Sequence, residues 1–388
     1  MVFILSSGQR NTFSVIVHFV VGVIFVCFYC EWMIYYVNQI QCGWPTLSKK
    51  PKDGLDPVHA MILADTHLYG AKDRFTLEDW RKEWQMKRAF QAAITIHQPE
   101  LVFVLGDLFD DGKWSSQNEF NDNVKKFYSV FKVPEEITLY SVVGNHDIGL
   151  HFRITPQLVK RFEKKLNAPP VRVVSLRGNH FILINSMAME GDGCSLCSRA
   201  VTEIDKIADI LKCSSGSALC KSHTKLEQYS RPIVLQHFPL YRESDSVCIE
   251  SDPPPVCKKS KLFEERRDCL SKESTEYLVE SLLPRAAFGG HTHHSCLVKH
   301  SFAPTPDHKI EFHEYTVPSF SWRKRLDPKY YLVTVSPDEV KVSKCELPRE
   351  WTIQVTAIMM LLGLVIYCKY FVSRPTPSIN KLMYGKKF

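Results

Sequence analysis

Two long apolar stretches near the ends of the chain constrain it more than any other feature. The first covers residues 13–37 and the second residues 351–372. Each reaches the ~20 residues that a helix needs to cross a hydrocarbon core. His18 and Glu31 interrupt the first, Glu31 near its far end, where a carboxylate can sit at the interface. Trp32, Tyr35, Tyr36, Trp351 and Tyr370 suit the aromatic belts of the membrane–water boundary. A cleaved signal peptide is the rival reading of the first stretch, but the run is long for one and no A-x-A-like site follows it. A lipid-anchor attachment signal also ends in an apolar tail. Here a basic tail follows (Arg374, Lys381, Lys386, Lys387), which argues for a stop-transfer helix.

Two spans put both termini on one side and residues 38–350 on the other. Basic residues flanking the spans are evenly divided between the two sides. Lys369 and Arg374, which hug the second span, favour a cytosolic tail. The expected order is a cytosolic N-terminus (1–12), a span (13–37), a luminal domain (38–350, core about 58–335), a second span (351–372) and a cytosolic tail (373–388).

Cysteine usage agrees with a luminal domain. Outside the spans lie Cys42, Cys194, Cys197, Cys213, Cys220, Cys248, Cys257, Cys269, Cys296 and Cys345, an even set concentrated between residues 194 and 269. They read as loop-stapling disulfides of an oxidising lumen. The rival is zinc held by Cys194-x-x-Cys197 with Cys213 and Cys220. No N-x-[ST] sequon in the domain reports on topology. The net charge of +7, from 49 Lys+Arg against 42 Asp+Glu, is spread along the chain, so nucleic acid is not expected as a partner.

Between the spans, strands and helices alternate. Short apolar runs at 58–64, 101–105, 137–143, 233–236 and 286–288 read as buried strands. Residues 171–176 and 180–185 read as a hairpin around Arg177-Gly178-Asn179. Residues 309–317 and 330–335 read as later strands. Helical spacing marks 74–97, with Leu77, Trp80, Trp84, Met86, Phe90 and Ile94 on one side, and 119–131. The fold class is layered α/β, whose sites form beyond the carboxyl ends of strands.

Those strand ends carry Asp65-Thr66-His67, Gly106-Asp107-Leu108-Phe109-Asp110, Gly144-Asn145-His146-Asp147, His237 and Gly290-His291-Thr292-His293. Carboxylate, imidazole and amide donors together suit divalent Mn, Fe or Zn. In D-x-H and H-x-H, residues i and i+2 of an extended strand end point the same way and can reach one ion. Glycine before Asp107, Asn145 and His291 allows a sharp turn. His237, in VLQHFP, could by itself be a structural strand-end histidine; its place between the two histidine motifs favours a ligand. His294, His300, His308 and His313 read as surface or core histidines, His97 as a helix end, and Trp80 and Trp84 as core. Arg323-Lys324-Arg325 reads as a solvated basic patch that follows the last ligand closely enough to touch an anionic substrate.

The ordered set D-x-H…GD-x-x-D…GNH[DE]…H…GH-x-H resembles the calcineurin-like metallophosphoesterases over about residues 58–320. The resemblance implies a four-layer α/β/β/α sandwich, here flanked by two transmembrane helices, and two divalent metal ions, manganese first, with iron or zinc as alternatives. Asp65, His67, Asp107 and His293 would hold one ion, and Asp107, Asn145, His237 and His291 the other. His146 matches the catalytic histidine that protonates a leaving alkoxide. Asp110 matches the acidic residue that orients it, with Asp111 as a competitor.

The membrane brackets are similar to those of a branch of this family that remodels GPI anchors early in the secretory pathway. That likeness implies a multi-pass protein of ER exit sites, the ER–Golgi intermediate compartment and the cis-Golgi. It implies GPI-anchored proteins as substrates and loss of an ethanolamine-phosphate branch from the second mannose. It also implies coat-protein or cargo-receptor contact through the tail. Lys386-Lys387-Phe388 departs from K-K-x-x by one position. The alternatives are a phosphoesterase of the same fold acting on phosphoproteins or nucleotides, and a non-catalytic cargo-binding scaffold.

Overall fold

The computed structural model describes residues 7–49, 54–70, 76–216, 224–250, 254–305 and 308–372. The tail lysines 381, 386 and 387, Arg374, Cys220 and the start of the helix expected at 74 lie outside the described residues. In chain order the elements are α1 (Ser7–Phe28), α2 (Ile34–Ile40), β1 (Val58–Leu63), α3 (Leu77–His97), β2 (Leu101–Leu105), α4 (Gln117–Val130), β3 (Thr138–Val142), α5 (Asn145–Ile148) and α6 (Pro156–Leu166). There follow β4 (Val171–Leu176), β5 (Asn179–Ile184), α7 (Ser195–Ser214), β6 (Ile233–Gln236), α8 (Val256–Lys259), α9 (Lys272–Leu282), β7 (Ala286–Gly289), β8 (Cys296–Thr305), β9 (His308–Thr316), β10 (Lys329–Val335), β11 (Val340–Glu346) and α10 (Glu350–Tyr367).

The chain divides into two units. One comprises residues 1–37 and 348–388, the other residues 38–347. In the first, α1 runs through a single π-helical turn (Tyr29–Met33) into α2. Helical stretches of 29 residues (Thr12–Ile40) and 21 residues (Glu350–Tyr370) are each long and apolar enough to cross a membrane. Phe13, Ile16, Ile24 and Phe25 on one helix and Ile358, Leu362 and Val365 on the other are exposed, as side chains facing lipid would be. The helices touch where α1 has no side chain. A Cβ on Gly22 would lie 2.3 Å from Leu364 Cδ1.

The second unit is built on two sheets. One has the order β11-β10-β1-β2-β3 and the other β4-β5-β6-β7-β9-β8. In the first, β1, β2 and β3 are parallel, and β10 returns antiparallel to β1. In the second, β5, β6, β7 and β9 are parallel, with the β4–β5 and β8–β9 pairs antiparallel. Side chains alternate across a strand, so each strand supplies one residue in two to the core between the sheets. That core takes Val58, Ala60 and Ile62 from β1, Leu101, Phe103 and Leu105 from β2, Phe181 and Leu183 from β5, and Ile233 and Leu235 from β6. The intervening Met61, Leu63, Val102 and Val104 are equally buried on the outer face. There α3 and α4 close the layer through Phe90, Phe127 and Phe131, whose ring centroids lie 5.0–5.1 Å apart in successive pairs. Helices α7 and α9 pack together beside the second sheet. The result is the expected four-layer α/β/β/α sandwich.

Both α3 and α4 start on capping boxes, Thr76 with Asp79 and Ser116 with Glu119. Three departures from expectation have physical causes. Strands β8 and β11 are sheet edges with polar, half-exposed residues, so neither carries an apolar run. The region of residues 194–213, expected as stapled loop, is mostly the helix α7, with Cys194 as its N-cap. The disulfides among the described residues are Cys42–Cys345 and Cys248–Cys296, whereas Cys194, Cys197, Cys213, Cys257 and Cys269, expected in bonds, carry free thiols.

Candidate metal centre

Every residue expected at the site lies just beyond the end of a strand, on the same side of the two sheets. Asp65 and His67 follow β1, Asp107 and Asp110 follow β2, Asn145 and His146 open α5 after β3, His237 follows β6, and His291 and His293 follow β7. The donor atoms of Asp65, His67, Asp107 and His293 lie within 4.8 Å of one another, as do those of Asp107, His237 and His291. Asp107 belongs to both groups. Its Oδ2 is 3.6 Å from His67 Nε2 and its Oδ1 is 3.3 Å from His237 Nε2. Asn145 Oδ1 lies 3.1 Å from His237 Nε2, and His293 Nε2 lies 3.1 Å from His67 Nε2.

The local backbone differs from the extended strand end that the D-x-H spacing suggested. Asp65, His67, Asp107, His291 and His293 all have positive φ, between 44° and 72°. Non-glycine residues enter this left-handed region at a cost of about 1–3 kcal/mol each, and such residues gather at functional sites. Hydrogen bonds from Asp65 N to Gly106 O (3.1 Å) and from His67 N to Asp107 O (2.9 Å) hold the two loops in it. Two glycines make the close approach possible. A Cβ on Gly144 would lie 2.2 Å from Asp107 N, and one on Gly106 would lie 2.5 Å from His237 Nδ1.

Hydrogen bonds aim the donors. His237 Nδ1 donates to Leu105 O (2.8 Å) and His67 Nδ1 to Asp110 Oδ1 (3.0 Å), which leaves each Nε2 lone pair for the centre. The Asp147 carboxylate accepts from Gly144 N (2.8 Å) and Phe109 N (3.0 Å) and so ties the two loops beside Asp107. Burial pushes the Asp65 carboxyl up to about 8; His237 pulls against this and the Asp107 charge adds to it. Burial would also raise Asp107, but His237 and His67 hold it well below the usual carboxylate range. Burial lowers His67 to about 4 and His291 to about 3, keeping both imidazoles neutral. Buried acids crowded among imidazoles, with Asp65 pushed up by burial and His237, which burial would lower, raised to about 9 by Asp107, suit cations that would take the place of the shared protons. With nitrogen and oxygen donors alone, this set fits two hard or borderline divalent ions.

His146 stands at the rim with its side chain 31% exposed. Its Nδ1 donates to the carbonyl of Asp110 at 2.7 Å, and the Asp110 carboxylate is farther, at 3.8 Å. Asp110 therefore meets His146 chiefly through its backbone and meets His67 through its carboxylate. The Asp111 carbonyl instead accepts from Trp114 N (2.9 Å) and Ser115 N (3.1 Å) in the turn that follows. The basic run that read as solvated is part of the site. Arg323 Nη1 lies 2.6 Å from Asp110 Oδ2, Lys324 Nζ lies 3.3 Å from Asp110 Oδ1, and Arg325 Nη1 donates to His293 O at 3.2 Å. Arg323 also covers the Tyr69 ring at 3.8 Å. The only sequence signal for this was proximity to the last histidine motif.

The chain matches the calcineurin-like phosphoesterase family over residues 58–295. It is 39% identical over 372 residues to Metallophosphoesterase 1 of Danio rerio, covering 95% of this chain and 91% of that protein. It is 44% identical over 326 residues to the Metallophosphoesterase 1 homolog of Drosophila melanogaster, covering 83% and 84%. Among solved structures it is similar to purple acid phosphatase PPD1 from yellow lupin, with a TM-score of 0.48 and 10% identity, over 87% of this chain and 58% of that one. The family implies divalent metal ions and hydrolysis of phosphoesters. The chain belongs to the calcineurin-like phosphoesterases, a metal-dependent phosphoester hydrolase with Metallophosphoesterase 1 proteins as relatives along most of its length.

Proposed function

We propose that the chain is a membrane-anchored phosphodiesterase that removes the ethanolamine-phosphate branch from the second mannose of GPI anchors. In this reading it acts in the early secretory pathway and aids ER-to-Golgi transport of GPI-anchored proteins. The observation that carries it is the pairing, on one chain, of a phosphoesterase centre with two membrane-length helices. Such an anchor suits a substrate that is itself tethered to the bilayer. Two disulfides in the domain support a luminal placement, with both termini cytosolic. The tail, in the same reading, meets coat proteins or a cargo receptor.

Asp65, His67, Asp107 and His293 would hold one divalent ion, and Asp107, Asn145, His237 and His291 the other, with manganese proposed for both. When bound, such ions supply positive charge that polarises the phosphoryl oxygens and activates water. Lys324 and Arg323, beside Asp110, add positive charge at the same rim. His146 gives a proton to the departing mannose oxygen through Nε2, because Nδ1 is engaged by the Asp110 carbonyl. The bond between phosphorus and the mannose oxygen breaks, the hydroxyl of water joins phosphorus, and the proton that water gives up replaces the one supplied by His146. The products are a free mannose hydroxyl and ethanolamine phosphate.

The test is the mass of GPI glycans on surface proteins from cells lacking this chain. A retained ethanolamine phosphate on the second mannose is expected, removed again by the wild-type chain and not by Asp107→Ala. Unchanged glycans, with turnover confined to phosphoproteins or nucleotides, would overturn the substrate assignment.

A further inference from the structure

A second cluster of ligand-type side chains shares no residue with the metal centre. His151 lies on the turn His151–Arg153 that follows α5, and Asp192, Cys194 and Cys197 lie where a loop enters α7. One donor atom from each of the four falls within 4.8 Å of the other three. His151 Nε2 is 2.8 Å from Asp192 Oδ2, and Cys197 Sγ is 3.2 Å from Asp192 Oδ1. We propose that His151, Asp192, Cys194 and Cys197 form a structural zinc site.

Three features beyond proximity support it. First, His151 Nδ1 donates to Met187 O at 2.9 Å, which leaves the Nε2 lone pair directed at the cluster. A hydrogen-bonded distal nitrogen is the usual support of a metal-bound imidazole. Second, Cys197 N points its hydrogen at Cys194 Sγ from 3.0 Å, and Cys194 caps the N-terminus of the 20-residue α7. The amide hydrogen and the helix end both present positive partial charge to that sulfur. Third, the C-x-x-C pair with one imidazole and one carboxylate makes four protein donors, the number a closed structural site needs, and two sulfurs select zinc over harder ions. A cleft of about 480 Å³, lined in part by His151, Cys194 and Arg199, gives an entry path.

The site has structural work to do. Gly191 and Gly193 flank Asp192 with positive φ, and a Cβ on either would meet nothing within 4 Å. That loop is held by polar contacts, such as Cys194 N to Asp192 Oδ1 (3.0 Å) and Ser198 Oγ to Gly193 O (3.0 Å), and not by packing around its glycines. Zinc would fasten it to the turn that directly follows Asn145 and His146. Binding releases two protons, one from each thiol, and leaves two thiolates and one carboxylate around the cation.

The test uses the full-length chain in detergent, purified without chelator. Metal analysis should give zinc in addition to the metal of the catalytic centre, and a mercurial that titrates the thiols should release it. Cobalt loading should give the near-ultraviolet thiolate-to-cobalt band, which the catalytic centre, having no sulfur donor, cannot produce. Cys194→Ser with Cys197→Ser should abolish that band. His151→Ala should weaken zinc at least as much as the ten- to hundredfold that loss of an outer partner costs. A Cys194–Cys197 disulfide mapped in the native chain, or no thiolate–cobalt band in the wild type, would overturn the proposal. Neither readout depends on the GPI assignment. The mercurial titration uses the wild-type chain, so it stands even where the serine variant fails to fold.

Discussion

The carboxylate of Asp110 accepts the Nδ1 hydrogen of His67 at 3.0 Å. Burial opposes the ionised form of Asp110, but the His67 hydrogen bond and the Lys324 and Arg323 charges hold its carboxyl well below the usual range. The charge thus fixes the His67 tautomer and turns Nε2 inward. Asp110→Asn should weaken the ion at the Asp65–His67–His293 side by about 10–100-fold, the usual cost of losing a partner behind a metal-bound histidine. Activity should return at high metal concentration. If kcat stayed low at saturating metal, Asp110 would be acting through His146 instead.

His146 is held by the Asp110 carbonyl and contributes its side chain to neither cluster that includes Asp107. His146→Ala should therefore leave metal content near that of the wild type and lower kcat by about 10²–10⁴-fold, the range for loss of a general acid. The loss should shrink on p-nitrophenyl esters, whose leaving group needs little protonation. Equal losses on both substrate types would count against a proton donor.

Much of this centre was legible because its signals are local: an apolar run, then a donor, often with glycine beside it. Asp65, Asp107, Asn145, His237 and His291 each announce themselves in this way. The left-handed backbone of Asp65 and His67 was not legible, since bonds to Gly106 and Asp107 across the chain impose it. For the same reason Arg323 and Lys324 looked solvated, although their partner is Asp110. Strand β11 was missed because an edge strand needs no apolar run. Its Cys345 pairs with Cys42 over a separation of 303 residues, which no spacing rule reaches.

Gly144 has no room for a side chain: a Cβ would lie 2.2 Å from Asp107 N and 2.3 Å from Asp107 Oδ1. Both are parts of the shared ligand, so the clash cannot relax without moving it. Gly144→Ala should lower the occupancy of both ions and destabilise the domain by about 1–3 kcal/mol, as overpacking does. Gly43→Ala, where a Cβ would find nothing within 4 Å, is the control. Metal content and thermal midpoint check both. Normal metal content in Gly144→Ala would refute the constraint.

A buried ionic group away from the centre should set part of the acid sensitivity. Glu314 is 1% exposed and bonds to His300 Nε2 (2.8 Å) and Leu240 N (2.6 Å), with Arg242 Nη1 at 3.7 Å. Burial would raise its pKa, yet His300, Arg242 and the Leu240 amide together hold it below the ordinary 4.5. A carboxyl depressed in the folded state stabilises above its unfolded pKa, and that contribution is lost as pH falls through the folded value. Glu314→Gln should therefore lower the thermal midpoint at pH 7, and the gap to wild type should close as pH drops below about 4.5. A gap that widened toward acid would reverse the sign and refute the argument.

The Cys42–Cys345 bond closes the domain on itself, joining the segment that leads into β1 to the edge strand β11. By restricting the unfolded chain, a bond across so long a loop should contribute about 2–5 kcal/mol. Trp44, two residues on, stacks on the His59 ring at 4.4 Å and donates Nε1 to His97 O at 3.0 Å, so the segment has other anchors. The paired change Cys42→Ala with Cys345→Ala should then lower the thermal midpoint without unfolding the centre, and kcat at low temperature should stay close to that of the wild type. The same pair of sulfurs reports on the side of the membrane. Oxidised in chain isolated from cells under alkylating quench, they place residues 38–347 in an oxidising compartment, whereas two alkylated thiols would put the domain in the cytosol and remove the luminal reading.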